Sequence, residues 1–133
     1  MSQLFGTAVL VAGALFSLLT TWSSGTAPRQ FADRLGLAIS STGGLNEIRA
    51  QYAGFFLAAA IACGAALASW IPRQAAFVML IVIFGGLIVG RLASLAIDGG
   101  VAGYGSTIKA LYAIDAVGLG LAVAALALDR QAS

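Results

Sequence analysis

The chain has 133 residues, 60% of them hydrophobic and 9% charged, with a net charge of +2. An ordinary soluble domain carries about 25% charged residues, and a domain this small has too much surface for its volume to hide so much apolar side chain in one core. The composition therefore excludes a soluble globular domain; the slight positive balance gives no ground for a nucleic-acid partner, and one Cys with no His excludes an intrachain disulfide and a thiolate–imidazole metal site.

A membrane helix needs about 20 mainly apolar residues, and four stretches reach that length. The first is 4–22. No Lys or Arg precedes Arg29, so it lacks the basic n-region of a signal peptide and reads as a retained span. The long connection 23–51 contains "APRQFADRLGLAIS", where Phe31, Leu35 and Ala38 recur at helical spacing among Gln30, Asp33 and Arg34. That pattern fits a short helix on the membrane surface or an ordinary solvated loop. In "STGGLNEIRAQY", Asn46 is a candidate N-cap and Glu47 suits the positive end of the helix dipole.

The second span is 52–71 and the third is 75–97, joined by a tight turn at Pro72-Arg73-Gln74, which makes them antiparallel neighbours. Trp22 and Trp70 close the first two spans at the level where interfacial tryptophans gather. The fourth span is 108–128. Rows of small residues, namely Ala60, Gly64 and Ala68, then Gly86 and Gly90, then Ala116, Gly120 and Ala124, are expected to mark close helix packing. The fold expected is all-α: one domain over 1–133, a four-span antiparallel bundle with a short interfacial helix in the first connection.

Four crossings place both termini and the Pro72 turn on one side, side A, and the long connection and the 99–107 loop on side B. Arg91 lies seven residues inside the third helix from Asp98, and Asp115 six inside the fourth from Lys109. At 1.5 Å per residue both sit about 9–10 Å deep from side B. A charge in hydrocarbon costs about 2.5–3.5 kcal/mol on insertion scales, so it normally turns inward and finds a partner. Arg91 and Asp115 are the natural pair, and the side A half of every span is free of ionisable residues. Arg91, Ser94 and Asp98 share a helix face, as do Tyr112 and Asp115, and Arg49, Tyr52 and Phe56. A polar pocket toward side B is expected, walled by Arg49, Tyr52, Arg91, Ser94, Asp98, Tyr112 and Asp115. The alternatives are a pair that only fixes helix register, and a charge that snorkels to the headgroups.

"NEIRAQYAGFFLAAA", "GRLASLAIDG" and the lone acid of "AIDAVGLG" resemble the bacterial domain-of-unknown-function family 4345, small four-span membrane proteins. The family pattern has an Arg before a Gly-rich second helix, a Gly-Arg late in the third, an Asp-Gly ending it, and an acid in the fourth. The resemblance puts those positions on Arg49, Gly54, Gly90, Arg91, Asp98, Gly99 and Asp115. Two positions depart from it. Asp115 stands where Glu is usual, which demands a closer helix approach or a bridging water, and Ala53-Gly54 stands where Gly-Gly is frequent. The resemblance implies no activity, since the family's role is undefined.

"VAGYGST" echoes a potassium-channel filter, but the connection is too short to hold a pore helix as well. The same stretch lacks the Lys of a phosphate-binding loop. No nucleophile has an evident base, so no catalytic residue, cofactor or metal is expected. The leading expectation is a non-enzymatic protein of the bacterial cytoplasmic membrane. Its Arg/Asp pocket would bind a partner subunit, a lipid headgroup or a small anion, and homo-oligomerisation is open. The rivals are a small-solute or proton-coupled transporter using Asp115, and a lipid-modifying enzyme. Basic residues lean side B toward the cytoplasm, but the lean becomes a tie if Arg49 and Lys109 belong to the pocket.

Overall fold

The structure, a computed structural model, describes residues 2–131. It is an all-α bundle of α1 (Ser2–Thr26), the short α2 (Pro28–Arg34), α3 (Thr42–Leu67), α4 (Arg73–Asp98) and α5 (Ser106–Gln131). All but α2 are long and apolar enough to cross a membrane, the make-up of a multi-pass membrane protein. Among the described residues there is no strand.

The spanning helices run up, down, up, down. α1 packs along α3 and α4 along α5, α5 closes back against α1, and α3 meets α4 only sparsely. The outer surface is apolar: Leu19, Ile61, Val82 and Val89 are each at least 63% exposed. Such a surface is stable only where hydrocarbon is the solvent. The dense core lies toward side A, where Val9, Leu10, Cys63, Phe77, Leu80, Phe84 and Ala122 are buried together.

Several hydroxyls inside the spans spend their donors on the preceding turn. Thr20 Oγ1 donates to Phe16 O at 3.0 Å and Ser24 Oγ to Thr20 O at 2.6 Å, so fully buried Ser24 leaves no orphan donor. In lipid that closure is required, because no water can take the bond.

Several helix ends differ from the hydropathy reading. α3 begins ahead of the apolar span, as expected, but at Thr42 and not after Asn46: Ser41 is the N-cap and accepts from Gly44 N at 3.1 Å, and Asn46 lies inside the helix. It ends at Leu67, so Trp70 and Ile71 are outside it. Ser69 adopts φ +61°, and Trp70 N donates to Ala65 O while Ser69 N donates to Ala66 O. Those bonds form a Schellman cap, which takes up the carbonyls left at a helix end. Pro72 is then the N-cap of α4 rather than the stop of the preceding helix. α2 realises the surface-helix alternative over 28–34; Gly36, at φ +76°, ends it, which leaves Ala38 beyond the helix.

The small-residue rows also fall elsewhere. A methyl on Gly64, Gly86, Gly90 or Gly120 would meet nothing within 4 Å, so these glycines face open space and not a neighbouring helix. Of the expected rows Ala60 is buried, and close packing otherwise uses Ala59, Cys63 and Ala66 on α3, Ala122 and Ala125 on α5, and Gly13 and Gly118 against the side chains of α4.

Candidate functional site

Arg91 enters the site because the side B end of α4 presents it toward α5. Its Nε donates to Asp115 Oδ2 at 2.5 Å. Asp115 is 1% exposed, and no other acid shares its level. Tyr112, one turn before Asp115, braces the pair. Its hydroxyl donates to the Arg91 carbonyl at 2.9 Å, and its ring centroid lies 5.6 Å from the guanidinium carbon. The guanidinium therefore engages the carboxylate through one nitrogen, at its side. Neither Nη1 nor Nη2 is bonded to another described residue, so the fork that usually grips a carboxylate or phosphate stays uncommitted.

The pair forms one wall of a cavity of about 240 Å³ opening toward side B. Tyr52 comes from α3, Phe16, Thr20 and Ser23 from α1, Phe31 and Arg34 from α2, and Thr107 from the start of α5. The Phe31 and Tyr52 rings meet edge to face at 4.9 Å, which seats α2 on α3. The charged groups on this cavity are Arg34, Arg91 and Asp115, a net charge of one positive unit. A second, more open groove of about 540 Å³ shares Tyr52, Leu87 and Arg91 with it and adds Gly90, Ser94, Tyr104 and Tyr112.

Tyr52, Arg91 and Asp115 thus meet at one cavity, with Ser94 and Tyr112 at the adjoining groove. Asp98 lies at the rim, outside both: its Oδ2 accepts from Tyr104 at 2.5 Å and from Ser94 at 3.3 Å, and Tyr104 stacks on Tyr112 at 6.2 Å. The hydrogen bond to Asp98 pushes the Tyr104 phenol above its usual pKa.

Arg49 is excluded. It is exposed, lines neither cavity, and makes no hydrogen bond or ion pair with another described residue. The reason is local. Residues Arg49–Gly54 form a π-helical stretch inside α3. Its wider turn breaks the i, i+3 alignment that an α-helix would give Arg49 and Tyr52. Such a stretch loosens the backbone ladder, and here Thr21 Oγ1 on α1 donates to Ala53 O at 3.1 Å. Arg34 takes the place expected of Arg49. The signal for Arg34 was its position in the amphipathic pattern of the first connection; Thr20 and Ser23 carried none beyond being polar near a span end.

A second polar contact lies at the side A end, where the hydropathy reading left the spans uncharged. Arg73 Nη2 donates to Gln3 O at 2.9 Å and to Thr7 Oγ1 at 3.2 Å, and Arg73 Nε lies 4.0 Å from Asp129 Oδ1. The longer helices bring Arg73 and Asp129 inside α4 and α5, and together they clip α1, α4 and α5.

No family model, curated protein or solved structure matches this chain.

Proposed function

We propose that this protein is a non-enzymatic module of the bacterial cytoplasmic membrane that binds an anionic group, phosphate or carboxylate, in the side B cavity. The observation that supports this best is the one-nitrogen pairing of Arg91 with Asp115. A pair built only to fix helix register gains most from a forked, two-bond contact; this one holds the guanidinium in place and leaves its paired amino groups for a second acceptor. Arg34 at the cavity mouth makes the site net positive. The bacterial setting and kinship with the four-span family 4345 belong to this proposal.

The cavity also bears on orientation. Arg49 and Lys109 are not among its lining residues, so both count as flanking charges. With Arg34 assigned to the cavity, Arg29, Arg49 and Lys109 on side B still outnumber Arg73 and Arg130 on side A. By the positive-inside rule side B faces the cytoplasm. A transport role through Asp115 finds less support, because the Leu10, Phe77, Leu80 and Phe84 core closes the path toward side A.

The test is binding of glycerol phosphate to the detergent-solubilised full chain, with Arg34→Gln and Arg91→Lys as variants. Both should weaken binding while helical content is kept. Unchanged binding in both folded variants would sink the reading. Flux into proteoliposomes, abolished by Asp115→Asn, would replace it with the transporter.

A further inference from the structure

We infer that the cavity is the headgroup end of a lipid groove, and that its occupant is one anionic glycerophospholipid of the side B leaflet; the inference rests on the anion-binding reading above.

Charge is the first reason. Arg34 and Arg91 against Asp115 leave one net positive unit on the cavity, which a single phosphodiester neutralises. A zwitterionic headgroup brings its own cation to a site that is already positive.

The donors match as well. Besides Arg91, the residues Ser23, Tyr52 and Thr107 line the cavity, and their hydroxyls bond to no other described residue. Phosphodiester oxygens only accept, so unspent donors on an otherwise largely apolar lining fit them.

The third reason is adjacency, and it selects a lipid over a free anion. Leu87 lies on the polar cavity, on the open groove beside it, and on an apolar groove of about 610 Å³ between α3 and α4. Phe55, Ala58, Met79, Val82 and Gly86 line that third groove. From Gly86 to Met79 it runs about 10 Å along α4, away from side B and into the bundle's middle. At Gly86 the groove is open, since a methyl there would meet nothing within 4 Å. Neighbouring grooves, one carrying the cations near the membrane face and the other almost entirely apolar toward the centre, together have the polarity of a lipid molecule. A free phosphate has no use for the apolar half.

Native mass spectrometry of the full chain, released from detergent after titration with phosphatidylglycerol or phosphatidylcholine, reads the occupant directly; inorganic phosphate binding is followed in parallel. Phosphatidylglycerol should bind about tenfold tighter than phosphatidylcholine, the size of one charged hydrogen bond. Gly86→Leu, which has open space to fill, should cut phosphatidylglycerol retention about tenfold and leave phosphate binding unchanged. Arg34→Gln should weaken both. If phosphate binding depends on Arg34 but Gly86→Leu leaves lipid retention unaltered, the lipid inference falls and the anion site stands. If neither ligand responds to Arg34→Gln or Arg91→Lys, both fall. If Gly86→Leu shifts the oligomeric state and not lipid retention, the groove is a contact between copies of the chain and the inference is overturned.

Discussion

The tip of the Phe84 ring presses on Gly118: a Cβ built there would lie 2.7 Å from Phe84 Cζ and 2.8 Å from both Cε atoms. Phe84 is buried and packs on Phe16 with ring centroids 6.1 Å apart, so it has little room to retreat. Gly118→Ala should destabilise the bundle by about 1–3 kcal/mol, the usual penalty for overpacking. Two residues on, Gly120 faces open space. Gly120→Ala should change stability by less than about 1 kcal/mol. Unfolding in mixed micelles by titrated dodecyl sulfate, read by circular dichroism, compares the two. Equal effects would mean that Phe84 does not sit over Gly118.

The Arg91–Asp115 pair makes a prediction about what each residue does alone. Arg91→Ala leaves Asp115, 1% exposed, without its cation. Breaking a buried pair from one side costs about 3–5 kcal/mol, whereas replacing both partners by apolar groups of similar volume is often neutral. The double variant Arg91→Met/Asp115→Leu should therefore unfold near the native midpoint while losing anion binding. A double variant as unstable as Arg91→Ala would show that the pair's worth to the fold exceeds that of apolar packing.

The spans are legible in the sequence because a helix in lipid needs only length and apolarity, which composition reports. Their ends are less so. Trp70 and Ile71 are as apolar as the helix before them, and a backbone turn at Ser69 stops it. Arg91 and Asp115 can be placed at one depth from the rise per residue alone, and in the structure they lie 2.5 Å apart. Arg49 misleads because counting i, i+3 assumes an α-helix, and a π stretch is not visible in residue types. Arg34 reaches the cavity only because α2 is seated on α3 by the Phe31–Tyr52 contact, a tertiary event that local periodicity does not encode. The small-residue rows mislead for a statistical reason: Gly and Ala are frequent enough here that four-residue rows occur on lipid-facing surfaces too.

Ser69 carries the left-handed conformation of the Schellman cap with a side chain attached. That conformation costs a non-glycine residue about 1–2 kcal/mol. Ser69→Gly removes the strain but gains entropy in the unfolded chain. The net expectation is a gain of up to about 1 kcal/mol, seen as a higher dodecyl sulfate midpoint. A lower midpoint would show that the Ser69 side chain makes a stabilising contact outweighing its backbone cost.

The rim predicts a pH response with a definite sign. Tyr104 donates to Asp98, and that hydrogen bond, with the negative charge of the carboxylate behind it, favours the protonated phenol. Its pKa in the folded protein is raised above the usual value of 10.0. A raised pKa means that the native state holds its proton longer than the unfolded chain does. The contribution of this contact is therefore complete below the ordinary tyrosine range and is lost as pH climbs through the native value. Asp98→Asn replaces the charged acceptor by a neutral amide and should bring the Tyr104 titration down toward the ordinary range. Carbon NMR of ring-labelled tyrosine, with Tyr104→Phe to assign the signal, measures this. A Tyr104 titration that stays put in Asp98→Asn would mean that the 99–105 loop is not latched to the end of α4 through this bond. The same variant separates rim from cavity: Asp98 lines neither cavity, so anion binding should persist where the latch is lost.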